Sequence, residues 1–247
     1  MTSLSVDSVP QSAQSKVGAN GGMSYHYATP IVASTKLPSG RGGASVVGVE
    51  GKLISFGGTY LDGEKFAYLD ETWVMDVGKV AWQQVMCSGQ VPPPRYGHSA
   101  QIVGSRMFIF GGKGQNDKIF NDVYFLDLVE WIWVQVQSIS QGPNPRFNHA
   151  SALVGRKLVI HGGWNGYEAF DDFWIFNTDS FAWISPKISG FSPTARFGHT
   201  MNLTSDGRLL VFGGCALDKS GTMPRYNNDV RQLDTDHMVW SRPRCEL

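Results

Sequence analysis

Three histidines, His98, His149 and His199, each stand three residues after an arginine, at Arg95, Arg146 and Arg196. Imidazole is the commonest protein ligand for transition metals, so a metal site is the first chemistry this pattern raises. One acidic residue recurs in step with them, at Glu71, Asp122, Asp172 and Asp229, and carboxylates held as a pair would serve acid/base chemistry. Both readings need side chains that converge. Regular repetition works against convergence, because packed sheets lie about 10 Å apart whereas two ligands on one zinc each sit within roughly 2.1 Å of it. The recurrence therefore points to structural duties: histidines inside the packing, arginines hydrogen-bonding from blade to blade, and carboxylates meeting a shared turn or backbone contact. No His-Glu-x-x-His motif, glycine-rich phosphate loop or nucleophile elbow is present.

The elements that position these residues are modular. A Gly-Gly pair closes an apolar run at Gly57-Gly58, Gly111-Gly112, Gly162-Gly163 and Gly213-Gly214, at spacings of 54, 51 and 51 residues. An arginine precedes every pair, the earliest being Arg41, and a tryptophan follows every pair, at Trp82, Trp133, Trp183 and Trp240. A period of this size marks an array of supersecondary units.

Within each unit the punctuation marks strands, lettered a to d. Strand a follows the arginine, at 44–47, 99–103, 150–154 and 200–203. Glu50-Gly51, Gly104-Ser105, Gly155-Arg156 and Asp206-Gly207 suit tight two-residue hairpins into strand b. Strand b is a nearly continuous apolar run, which implies burial on both faces. Strand c carries the acidic residue, a large side chain two positions on and an Asp or Asn three positions later; six further residues lead to the strand d tryptophan in all four units. That constant offset predicts a constant tight turn, and the tryptophans read as core. Four short antiparallel strands with one buried on both faces describe a β-propeller blade between two neighbours. Helical periodicity is missing, so the fold class is all-β.

The organisation follows. Residues 1–22, rich in Ser, Gly, Ala and Gln, cannot offset the entropy of ordering and read as a disordered tail. The propeller occupies 23–247, with complete blades at about 38–88, 89–139, 140–190 and 191–244. Tyr25 to Lys36 reads as one orphan strand, the closing strand of a blade whose first three strands are absent. The expected architecture is thus four complete four-stranded blades plus one orphan, a partial or truncated propeller, or else an open arc that needs a partner.

Composition removes several function classes. Twenty-one basic and twenty-one acidic residues cancel, so no long-range positive field attracts phosphate backbones, and nucleic acid is excluded as a partner. No stretch approaches the roughly 18 apolar residues of a membrane span, which excludes insertion by a helix, and no signal segment opens the chain. Cys87, Cys215 and Cys245 are too scattered for a disulfide framework or zinc site and read as free thiols in a cytoplasmic protein. The residues call for no cofactor and no metal.

Arg95-Tyr96-Gly97-His98, Arg146-Phe147-Asn148-His149 and Arg196-Phe197-Gly198-His199, each followed by hairpin, Gly-Gly and tryptophan, resemble the Kelch repeat. The likeness is greatest to the subgroup of Rab9-effector-like, tip-elongation-like and leucine-zipper-like adaptors. Two units depart from it: the first has Arg41-Gly42-Gly43-Ala44 without a histidine, and the fourth places Arg231 where its siblings carry an aromatic. The resemblance implies a non-catalytic scaffold that binds a protein partner, with arginines near the axis able to grip it. The b–c loops, of 12, 9, 8 and 14 residues, would supply the surface. Their candidates are Tyr60, Glu64, Lys65, Lys118, Trp164, Asn165, Tyr167 and Arg225, joined by Arg95, Arg146 and Arg196. Trp164 stands first, since no repeat-wide duty explains a tryptophan directly after Gly-Gly. The alternatives are a Kelch-propeller enzyme or metal-assisted specifier-type protein, and a structural part of a larger propeller or one that self-associates through open blade edges.

Overall fold

A computed structural model describes residues 32–34, 37–217 and 224–243. Four sheets dominate it, each with four antiparallel strands in the order a-b-c-d, and among the described residues the sole helical turn is the short 3-10 segment Gln115–Asp117. The first sheet comprises Ser45–Val49, Lys52–Phe56, Thr72–Asp76 and Ala81–Val85. The second comprises Ser99–Val103, Arg106–Phe110, Val123–Asp127 and Ile132–Val136. The third comprises Ala150–Val154, Lys157–His161, Phe173–Asn177 and Ala182–Ile184. The fourth comprises Thr200–Leu203, Arg208–Phe212, Val230–Asp234 and Val239–Ser241. Successive a strands neighbour one another, so they line the axis and strand d lies outermost. The protein is an all-β, Kelch-type propeller fold.

Local chemistry explains each turn. Glu50 and Gly51 both take positive φ, as a type I′ hairpin requires, while Gly104 and Gly155 take it at the first hairpin position, where a II′ turn needs glycine. The fourth hairpin differs from expectation: it spans four residues, because Thr204 N–H donates to the Arg208 carbonyl and the Thr204 hydroxyl bonds the Arg208 backbone as well. Between strands c and d the expected constant turn is present in every sheet. Asp76, Asp127, Asn177 and Asp234 accept backbone N–H bonds two to three residues on, and the fourth residue after each (Val80, Trp131, Phe181, Met238) is left-handed.

Because strand b is apolar on both faces, neighbouring sheets share their cores. Ile54, Phe56 and Val74 of the first sheet meet Met107, Ile109, Leu126 and Trp133 of the second. Phe108, Phe110 and Phe125 meet Leu158, Ile160, Phe176 and Trp183 of the third. Val159 and Ile175 meet Leu209, Val211, Leu233 and Trp240 of the fourth. Each such side chain contributes about 1.5–3 kcal/mol relative to exposure. Among the described residues no sheet covers Trp82, which is only half-buried.

The orphan strand corrects one expectation. Its described part, Val32–Ser34, does not stand apart as the closing strand of a separate blade; it runs antiparallel along strand d of the first sheet as a fifth, outermost strand. Ser88–Gly89 and Ser189–Gly190 occupy the same edge of the second and fourth sheets in parallel orientation. Residues 1–31, which include the expected tail, lie outside the described residues, as do Thr35, Lys36 and Cys245.

Candidate interaction surface and its buried framework

The repeat arginines and the strand c carboxylates prove to be partners. Arg95 places Nη1 2.6 Å and Nη2 3.1 Å from the two oxygens of Asp122. Arg146 makes the same fork with Asp172 at 2.6 and 2.8 Å, and Arg196 with Asp229 at 2.8 and 3.2 Å. Arg41 reaches Glu71 through one contact of 2.8 Å. Each of the three forked guanidiniums also donates to the carbonyl of the first glycine in its pair, at 2.9 Å. Arg95 and Arg146 additionally stack on Phe120 and Phe170. The large residue two positions after the acid completes the cluster: the indoles of Trp73 and Trp174 donate to Glu71 and Asp172, and Arg231 pairs with Asp229 at 3.0 Å. Hydrogen bonds from Arg196 hold the Asp229 carboxyl below its ordinary range.

This geometry changes three expectations. Arg95, Arg146 and Arg196 are 0% exposed, so their guanidiniums, consumed within their own sheets, cannot reach a partner. Their blade-to-blade bonds come from the backbone instead, with Gly58, Gly112 and Gly163 N–H donating to the carbonyls of Arg95, Arg146 and Arg196 at 2.8–2.9 Å. The carboxylates neutralise a buried cation rather than hold a turn, which leaves no free acid/base pair among them.

The histidines bridge sheets. His98 and His149 set Nε2 at 2.9 and 2.8 Å from the hydroxyls of Ser45 and Ser99 in the preceding sheet. Ala150 stands where a third serine would be, and His199 turns instead to Nδ1 of His161, 3.0 Å away. Burial first, and the neighbouring arginine second, hold His98 down to about 3 and His199 to about 4; burial also holds His149 and His161 well below the usual imidazole value. All four are neutral near pH 7. Among the described residues no three His, Cys, Asp or Glu side chains come together as a metal would need, and Cys87 and Cys215 are free thiols.

The b–c loops and the arginine loops share one rim, since the residue after each Gly-Gly pair exchanges two backbone bonds with the residue after each arginine. The pairs are Gly42 with Thr59, Tyr96 with Lys113, Phe147 with Trp164 and Phe197 with Cys215. Trp164 therefore has a repeat-wide backbone duty that its side chain concealed; its ring is half-buried, 5.2 Å from Phe197. An aromatic band continues through Tyr68, Tyr96 and Phe147 at 5.8 Å steps. Asn165 builds the loop, its Oδ1 accepting from the N–H groups of Tyr167 and Glu168, and this presents Tyr167 at 90% exposure. Glu64 and Lys65 sit at the tip of an exposed hairpin, Thr59–Asp62 with Lys65–Tyr68, that also displays Tyr60. Lys118 lies over the Phe120 ring, and Arg225 lies exposed on a second small hairpin, Cys215–Leu217 with Pro224–Tyr226. Sequence reasoning missed Leu61 and Phe66, exposed on the first hairpin, for which the Asp62-Gly63 turn between β-prone residues was the available signal.

Stacked four-stranded sheets with this arginine, glycine and tryptophan framework define the Kelch class of propeller. Residues 29–247 match the KLHDC2/KLHL20/DRC7 Kelch-repeats domain, and the chain belongs to that family. Among curated relatives, Acyl-CoA-binding domain-containing protein 4 of Arabidopsis thaliana is 31% identical over 81% of this chain and 28% of its own length. Tip elongation aberrant protein 1 of Schizosaccharomyces pombe is 30% identical over 62% of this chain and 13% of its own. Host cell factor of Drosophila melanogaster is 30% identical over 78% and 14%. The chain thus spans less than a third of these relatives. The solved structure of YjhT aligns with a TM-score of 0.69 and 13% identity, covering 86% of this chain and 73% of that one, a likeness of fold alone. No helix among the described residues is long and apolar enough to cross a membrane.

Proposed function

We propose that the chain is a non-catalytic protein-interaction scaffold that takes its partner, a protein, on the rim of b–c loops. One observation carries this reading: among the described residues the exposed tyrosines, Tyr60, Tyr167 and Tyr226, all belong to those loops, and Leu61 and Phe66 stand exposed beside the first of them. Exposed aromatics surrounded by charge suit a protein interface, where a few such anchors dominate the energy. The buried arginine framework favours the same reading, because it spends the charged groups that chemistry would need on holding the sheets. A cytoplasmic setting suits scattered free thiols such as Cys87 and Cys215. The test is a photo-crosslinking residue at Tyr167 to capture the partner in cells, followed by titration of the purified pair. Tyr167→Ala and Phe66→Ala are expected to weaken binding about tenfold each. Unchanged affinity in both variants would count against this surface.

A further inference from the structure

The seam between the third and fourth sheets is built from different residues than the two seams before it. In the first and second sheets strand a opens on Ser45 or Ser99, which pairs in register with the phenylalanine that ends strand b, Phe56 or Phe110. The serine hydroxyl bonds the next sheet's histidine at Nε2, and the phenylalanine packs on the same imidazole at 5.5 or 5.1 Å between rings. The third sheet changes both partners at once, since Ala150 stands opposite His161. His161 takes over both duties: its ring meets that of His199 edge-on, and its Nδ1 lies 3.0 Å from Nε2. Trp240 packs against His161 at 5.6 Å, and Arg231 occupies the place in strand c that Tyr124 and Trp174 hold in the sheets before.

This one seam therefore buries two imidazoles where the others bury one. A neutral pair holds a single hydrogen between its facing nitrogens, so one far nitrogen carries a hydrogen and the other a bare lone pair. His161 Nε2 and His199 Nδ1 are both buried without a hydrogen-bond partner among the described residues, as is Arg231 Nε on the same face of the fourth sheet. The surroundings are otherwise apolar, with Phe173, Val211 and Trp240 in the shared core. The charges acting on the pair are the guanidiniums of Arg196 and Arg146, both cationic, while Asp229 and Asp172 are already held by those guanidiniums. His149 of the third sheet lies within reach of a charge on His199 as well. An added proton would land on the bare nitrogen, where its hydrogen finds no acceptor and cations stand near.

We infer that this seam is an acid-operated joint: two protons, one for each imidazole, part the third sheet from the fourth while the first three sheets stay stacked. Once the seam is parted both rings meet water, and each takes a proton below its ordinary value of about 6.5. The joint is closed above that pH and loosens as pH falls toward the folded value of about 4 for His199 and the still lowered value of His161. The other seams gain one proton apiece on parting, at His98 or His149. The rim parts with the joint, because Trp164 and Phe197 face each other across it at 5.2 Å and Gly198 N–H donates across it to Asn148 O at 2.7 Å.

Hydrogen exchange of the full chain, resolved by residue and measured between about pH 6 and 4.5, tests this when each rate is divided by that of the unstructured amide at the same pH. The reporters are amides bonded across single seams: Arg95 and Gly58 for the first, Arg146 and Gly112 for the second, Arg196 and Gly163 for the third. Opening at Arg196 and Gly163 is expected to rise about a hundredfold per pH unit, against about tenfold at the other two pairs. The double variant Ala150→Ser with His161→Phe rebuilds the serine and phenylalanine of the other seams, and should bring Arg196 and Gly163 down to the tenfold slope. His237→Gln, at an exposed imidazole, should change nothing. Equal slopes at all three seams of the unaltered chain overturn the proposal by themselves, as does a steep third slope that survives the double variant. The comparison among seams needs no substitution, so it decides the matter even if circular dichroism finds the double variant unfolded.

Discussion

Phe110 and Phe212 end strand b in the second and fourth sheets, yet the first is 1% exposed and the second 54%. Both follow an apolar run and precede a Gly-Gly pair. What differs is the neighbour: His149 and Trp183 cover Phe110, whereas no described residue does the same for Phe212. A repeat in such an array is thus half of an interface, and identical local chemistry is core or surface according to what stacks on it.

Substitutions at equivalent positions break or sharpen this comparison. Phe110→Ala is expected to cost about 3–5 kcal/mol in denaturant unfolding, against under about 1 kcal/mol for Phe212→Ala. Equal losses would mean that the two faces are equally covered. Asp122→Ala strands the buried Arg95 charge and is expected to cost about 3 kcal/mol, the lower end for a broken buried pair since Asp122 keeps partial solvent access. Next, Gly111→Ala combines a left-handed φ with an approach of 2.6 Å to the Arg146 carbonyl, while Gly213→Ala carries the φ penalty alone. The second should cost about 1–2 kcal/mol and the first clearly more.

The filled interfaces should also be sensitive to acid. His98, His149, His161 and His199 are neutral in the fold with lowered pKa values, so the unfolded chain binds protons more readily below its ordinary value of about 6.5. Their contribution is therefore complete above that pH and is lost as pH falls toward the folded values of about 3 for His98 and about 4 for His199. The expected slope is about 1.4 kcal/mol per pH unit for each histidine, and His98→Gln should remove one such share between pH 6 and 4.5. An unchanged slope would show that His98 is not held neutral. The smallest expected effect on stability is at the rim, where Tyr167→Ala should change unfolding by less than about 0.5 kcal/mol, leaving any loss of partner binding attributable to contact.

Much of the framework was readable in order along the chain. Glu50-Gly51 announced a hairpin that Glu50 and Gly51 form, and Asp127 announced the turn whose N–H groups it accepts. Both depend on residues a few positions apart. The exception, the fourth hairpin, grew because Thr204 offered a closing hydroxyl that a dipeptide rule does not weigh. At Trp164 the side chain concealed a backbone duty, since its N–H and carbonyl pair with Phe147 as the residue at that position does in every sheet.

By itself the sequence determined the all-β class, the repeat period and the places of strands and turns, because backbone preference and alternation of apolar side chains act within a few residues. Only the tertiary structure decided that Arg146 is neutralised by Asp172, 26 residues away, and that His98 bonds to Ser45, 53 residues away. It alone decided that Phe212 faces outward. Those outcomes depend on which sheet stacks against which, a property of surfaces brought together over long stretches of chain that no local pattern encodes.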